Sequence, residues 1–351
     1  MNNTVSITKA IGIFLMVLGH AGLWDSALNY IAMFHMPLFF FMSGFCFKEK
    51  YLTDMRTFVK KRITGVWWPY VKWGVIFLLF HNLFFHLNIY SDVIGFQGKV
   101  EHLYSWSEYW SEFVGILKMR AREPLLGGYW FLASLFWGSI IFLLTRKFIN
   151  NKWIQGGGIL TVCIFMFVTK CQIPFFGVGG RAFLAAIFIW IGAEMSCNKR
   201  LIESFINNIV FCLLAFIFVG VGSIYWHSSM PKMTAELIIP YCITAVLGTL
   251  GIYAISKWID NKYANTSIGK FLCFTGNHTL EILTWHLLLF KIVNLLIICI
   301  YNLPEENLAQ FPVYVEYARK GWIVLYFIVG CGIPLVCCWV YEKIRYNRSK
   351  I

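Results

Sequence analysis

The stretches ITKAIGIFLMVLGHAG (7–22) and NYIAMFHMPLFFFMSG (29–44) decide how this chain is read. Neither contains a carboxylate, and between them the only formal cation is Lys9. Each is apolar enough to enter a bilayer, yet each carries an imidazole, at His20 and at His35. A polar ring in hydrocarbon is costly, so each histidine either caps a contact between helices or takes part in chemistry.

Working outward, the whole chain has the same character. Of its 351 residues 59% are hydrophobic and 13% charged, and the mean hydropathy is +0.66. A soluble domain carries about 25% charged residues. Runs long enough to cross a core of ~30 Å fall at 7–24, 29–47, 66–87, 128–145, 154–170, 181–197, 205–226, 236–257, 279–301 and 321–342. In lipid such runs must be helices. The expected fold is therefore an all-α integral membrane domain of about ten spans over 1–351, with no appended soluble domain.

Lys and Arg placement gives an expected orientation. With the N-terminus inside, nineteen of the thirty cations fall in inner segments and nine in outer ones. Both termini are then cytoplasmic. The net charge of +13 is a topology signal shared among short loops, which argues against nucleic acid as a partner. No small-residue cleavage site follows the first apolar run, so it reads as an uncleaved helix. The eleven cysteines show no C-x-x-C pair, and neither a disulfide framework nor a metal site is expected.

His20 is expected about one turn from the outer end of the first helix, and His35 less than two turns below the outer surface on the second. A short loop makes the helices neighbours, so the two rings share a depth. Imidazole can take a proton from a hydroxyl and return it. A Ser/His/Asp triad is a poor alternative, because no G-x-S-x-G elbow exists and Asp25 sits in a loop. His81 and His86, five residues apart, read as polar groups at the outer interface without a carboxylate. In EHLYSWSEYWSEF (101–113), acids alternate with aromatics. That pattern fits a helix along the membrane surface, or else a lid over a site.

At these residues the chain resembles the membrane acyltransferase-3 family. SITKAIGIFLMVLGHAG (6–22) and the following FHMPLFFFMSGFCF (34–47) resemble its opening. VKKRITGVWWPY (59–70) resembles its basic stretch with Pro-Tyr. GGYWFLASLF (127–136) and TGNHTLEILTWHLLLF (275–290) resemble two later helices. The resemblance implies a polytopic enzyme that moves acyl groups, often acetyl, from cytosolic acyl-CoA to extracytoplasmic glycans or glycolipids. It implies that His20 is catalytic and that His35 lies close to the same chamber. Many relatives carry Arg and Asp before the first helix, where this chain has Ser6, Thr8 and Lys9.

Given that plan, Arg56, Lys60, Lys61 and Arg62 are either anchors that snorkel to headgroups or, with Arg62 first, a grip on CoA phosphates. Lys61 and Lys9 are grouped with Arg62 as donor-binding. Glu281, His286 and Lys291 recur at five-residue steps and so cannot share one face. His286 is assigned to the chamber, and Lys291 is expected to snorkel or to meet a carboxylate. Tyr129 and Trp130, Arg181 and Ser43 are assigned to the acceptor side or chamber, although an aromatic belt also explains the first two and a simple anchor the third. The expected function is an O-acetyltransferase of the cell envelope in the plasma (inner) membrane, with His20 either deprotonating the acceptor hydroxyl or carrying the acyl group briefly itself. It would use acyl-CoA as donor substrate with no bound cofactor, and a homo-oligomer is compatible with the sequence. A secondary transporter, or a non-catalytic sensor or scaffold, is the alternative. No pair of matching interrupted helices, the transporter signature, is present.

Overall fold

The computed structural model describes residues 2–95, 99–174 and 176–348. Of the cations counted above, Lys350 lies outside these residues, as do the side chains of Lys199, Arg200 and Arg348. The described chain is helical apart from loops and one isolated bridge between Ile173 and Val178. In chain order the helices are α1 (Asn3–His20), α2 (Asp25–Ala32), α3 (His35–Phe45), α4 (Met55–Arg62), α5 (Trp68–Leu79), α6 (His81–His86), α7 (Trp106–Leu117), α8 (Trp130–Phe148), α9 (Lys152–Thr169), α10 (Gly180–Cys197), α11 (Lys199–Ile206), α12 (Ile209–Trp226), α13 (Ile238–Tyr263), α14 (Ser267–Asn277), α15 (Thr279–Tyr301), α16 (Val315–Tyr317) and α17 (Ile323–Arg348).

Among the described residues nine stretches are long and apolar enough to cross a membrane, the pair α2–α3 counting as one of them. The tenth run, expected at 66–87, is broken. Wide π-helical turns at Ile63–Trp67 lead into α5, and a second break at Phe80 precedes α6. Pro69 accounts for the first break, since it has no N–H to give the preceding turn and a widened turn absorbs the mismatch.

The run expected at 29–47 is also two helices, broken at Met33–Phe34, where Phe34 has φ −145°. Pro37 is the cause. An unbroken helix would need a Pro37 N–H directed at the Met33 carbonyl, and the ring would collide there. The break frees carbonyls that lipid cannot satisfy, and side chains meet them. Tyr241 Oη donates to Ala32 O at 3.1 Å, and His35 Nδ1 lies 2.7 Å from Ile31 O.

Central helices approach closely at glycine, as membrane bundles do. A Cβ on Gly44 of α3 would lie 1.8 Å from Ile189 O, and one on Gly192 of α10 would lie 2.1 Å from Phe41 O. By contrast α9, α12 and α17 present Val168, Leu213, Ile217, Val324 and Ile328 outward, as lipid-facing helices do.

Helix α1 stops at His20, and the chain before α17 closes over it. Gly22, at φ +89°, lies so near this cover that a Cβ would sit 2.7 Å from Ala318 Cβ. Buried side chains of α15 pin the cover down. Lys291 Nζ donates to Leu308 O at 3.0 Å and to Gln310 O at 2.8 Å, while Asn294 Nδ2 donates to Gln310 O at 3.0 Å. The expectation of a carboxylate partner or a snorkelling ammonium for Lys291 is thus corrected to two loop carbonyls. The cover over α1 is this segment; α7 packs elsewhere, with Ile116 against Gly74 and Trp106 and Trp110 exposed. Ser105 and Glu108 cap α7 reciprocally, and hydrogen bonds from His102 and Ser105 hold the Glu108 carboxyl down at about 2.

His81 corrects another expectation. It is buried, its Nδ1 is 3.1 Å from Glu123 Oε1, and its Nε2 is 3.0 Å from His102 O. Tyr90 Oη donates to the same carboxylate at 3.0 Å. The carboxylate missing from the local sequence comes from beyond α7, and the pair fastens the 88–127 segment to α6.

Candidate active site

A cavity of about 450 Å³ opens between α1, α3, α4, α8 and α15. Its wall is built from single helix faces. On α1 it takes Val5, Lys9, Ile13 and Met16; on α3, Met36, Phe39 and Ser43, with Cys46 just after it; on α15, Thr279, Leu280 and Leu283. Residues three or four apart share a helix face. One more step along each face reaches His20 after Met16, His35 before Phe39, and His286 after Leu283. Three helices therefore carry the cavity wall onward into three imidazoles. From Lys9 to His20 the distance along α1 is about 16 Å at 1.5 Å per residue.

The imidazoles are close to one another. The His20 and His286 ring centroids lie 5.3 Å apart, and His35 opens α3, which packs against α1. His286 Nδ1 is 3.0 Å from Ile282 O and 3.1 Å from Leu283 O. Carbonyls only accept, so Nδ1 carries the proton and Nε2 holds a free lone pair. That Nε2 is buried with no hydrogen-bond partner among the described residues. The His35 contact with Ile31 O assigns its proton in the same way. Both rings are oriented by backbone, with one basic nitrogen left for other work.

The opposite end of the cavity is cationic. Arg62 Nη2 donates to Ser43 Oγ at 2.7 Å, and its guanidinium lies 5.0 Å from the centre of the Phe58 ring. Lys61 Nζ donates to Tyr51 Oη at 3.0 Å, and Lys9, Lys61 and Arg62 line the same cavity. The three residues expected to bind the donor are brought together. Ser43, expected in the chamber, stands with them instead.

An acyltransferase domain, that of the acyltransferase-3 family, matches residues 2–342. The chain belongs to the acyltransferase-3 family. Comparisons with curated proteins and with solved structures gave no match. The protein is thus a multi-pass membrane acyltransferase.

Within this acyltransferase the remaining expected residues separate. Tyr129 is 1% exposed, so an aromatic belt does not describe it. Its Oη lies 2.9 Å from Thr284 Oγ1, and its ring lies 5.2 Å from Tyr70; it braces α15 one residue from Leu283. Trp130 is half-buried, edge-on to Phe131. Arg181 is exposed at the start of α10, and no described contact joins it to the histidines. Ser6 and Thr8, expected before the first helix, lie inside α1 and are structural: Ser6 Oγ donates to Asn277 Oδ1 at 3.0 Å, and Thr8 Oγ1 to Thr4 O at 2.7 Å. His278, Glu281 and Cys338 bring one ligand atom each within 4.8 Å of one another, at the joint between α14 and α15. His278 Nε2 there already faces Glu342 at 3.2 Å.

Sequence reasoning missed Met16, Met36 and Leu283 at the deep end of the cavity. Their signal was available, since each sits within one turn of a histidine on the same helix.

Proposed function

We propose that this protein transfers an acyl group, acetyl in the first instance, from cytosolic acyl-CoA to a hydroxyl of an extracytoplasmic or lipid-linked glycan, in the plasma (inner) membrane. One observation carries the reading: a cavity cationic at one end whose wall continues on three helices into His20, His35 and His286. Cations at the mouth suit the phosphates of CoA, guanidinium best because it binds oxygens in pairs. The apolar lining beyond them suits the uncharged arm that ends in the thioester.

In the reaction His20 accepts the proton of the acceptor hydroxyl as its oxygen attacks the thioester carbon. The carbon–sulfur bond breaks, the oxygen–acyl bond forms, and the proton passes from His20 to the departing thiolate. His286 offers its buried Nε2 lone pair beside the His20 ring, which favours an N–H on the facing edge of His20. His35 presents its free nitrogen to the acceptor hydroxyl. The direct test supplies purified protein with acetyl-CoA and an isolated lipid-linked glycan fraction, and follows free thiol and acetylated glycan. No thiol release above a protein-free control would overturn the reading.

Two further results are expected. Arg62→Ala should weaken CoA binding by roughly 1.5–3 kcal/mol, the range for a hydrogen bond to a charged group, and more than Lys50→Ala, which stands outside the cavity. Equal small losses in calorimetric titrations would return Arg62 to an anchoring role. Reporters fused after Lys61, Lys147, Lys199, Lys262 and Arg348 should all report cytoplasm. Those at Gln172, Ser229, Asn307 and Gln97, the last lying outside the described residues, should report the opposite side. A cytoplasmic signal from the 88–127 segment would refute this orientation.

A further inference from the structure

The cavity stops one helical turn or less short of the histidines. At its deep end stand Met16 of α1, Met36 of α3 and Leu283 of α15, all buried. Behind them come further rings. His286 lies against His20 at 5.3 Å and edge-on to Phe290 at 5.6 Å. Phe290 in turn abuts Gly330, where a Cβ would lie 2.6 Å from its ring. A thioester entering from the cationic end meets these three side chains before any imidazole, so one or more of them must give way.

They differ in how readily they can. Leu283 is wedged: a Cβ on Gly128 would lie 2.7 Å from Leu283 Cδ1, and the Tyr129–Thr284 hydrogen bond fixes the next residue of α15. The two methionines are unbranched, with three rotatable bonds and a soft sulfur, and refit around what lies beside them. The end of the cavity therefore has one fixed wall and two adaptable ones.

Resting on the acyl-CoA reading above, we propose that Met16 and Met36, closing against Leu283, form the acyl-binding end of the donor cavity and set the chain length accepted. When the donor enters, the methionines turn aside far enough for a short acyl group to lie on Leu283 with its carbonyl toward His20. The volume they still occupy excludes longer chains.

The test needs no acceptor. CoA, acetyl-CoA and butanoyl-CoA are titrated calorimetrically into the purified full-length protein, and the butanoyl-to-acetyl affinity ratio is taken within each variant, so that loss of folded protein cancels. Each buried methylene is worth about fourfold in affinity. Met16→Ala and Met36→Ala should each raise the ratio by about tenfold, and Leu283→Phe should lower it. Met16→Val and Met36→Val, gentler on folding, should move it the same way by less. An unchanged ratio in the methionine variants, with CoA still bound, overturns the chain-length role alone. Failure of the unaltered protein to bind CoA at all overturns the donor reading, and this inference with it.

Discussion

His20→Ala lowers acyl transfer per folded molecule by about 10²–10⁴-fold, the usual contribution of a general base, while CoA binding persists. Binding survives because the cationic end of the cavity, at Lys9, Lys61 and Arg62, lies about 16 Å along α1 from the imidazole. His35→Ala costs less, since that ring orients the acceptor and takes no proton in the proposed step. Its loss also strips the Ile31 carbonyl of the side chain 2.7 Å away, so some protein is lost as well. Turnover must therefore be divided by the amount of folded protein in the membrane. Unaltered turnover in His20→Ala would remove that ring from the chemistry.

Gly44→Val abolishes the folded bundle. Even the Cβ of the new side chain would overlap Ile189 O, at 1.8 Å, and the reciprocal contact at Gly192 leaves α10 no direction in which to yield. Overpacking a core costs typically 1–3 kcal/mol when side chains can shift; here the obstacle is backbone. The expected outcome is loss of the monodisperse peak on size exclusion in mild detergent. Gly157→Val, at a position with no neighbour within 4 Å, should keep it. A stable Gly44→Val protein would mean that α3 and α10 do not cross as described.

Much of this architecture was legible in the sequence. Apolar runs of about 20 residues mark helices in lipid because a helix satisfies its own backbone, so among the described residues nine stretches long and apolar enough to cross stand where the chain is most apolar. The five-residue spacing of Glu281, His286 and Lys291 correctly separates them around α15: the first faces His278, the second His20, the third the carbonyls of Leu308 and Gln310. Pro37 and Pro69 were readable as breaks, but their neighbours are so apolar that hydropathy overrides them. What the sequence withheld is rotation and long-range partnership. Nothing near Ser43 says that it turns toward Arg62, or that Glu123 returns to His81 from 42 residues away. That the cover over α1 comes from the chain before α17 follows from packing at Gly22, which no local pattern encodes.

The end of α1 at His20 has a consequence for the charge that forms during turnover. A helix concentrates partial negative charge on its last unpaired carbonyls, equivalent to about half an elementary charge. His20 is the terminal residue of α1, and the segment around Val313 and Ala318 packs against Gly22 just beyond it. When the ring takes the hydroxyl proton, the resulting cation sits in the negative field of eighteen residues of aligned peptide dipoles. Partly buried geometries of this kind are worth up to about 2 kcal/mol, or roughly thirtyfold in rate. A first helix that ran on several turns past His20 would place the same imidazole beside the middle of a dipole and forfeit that field.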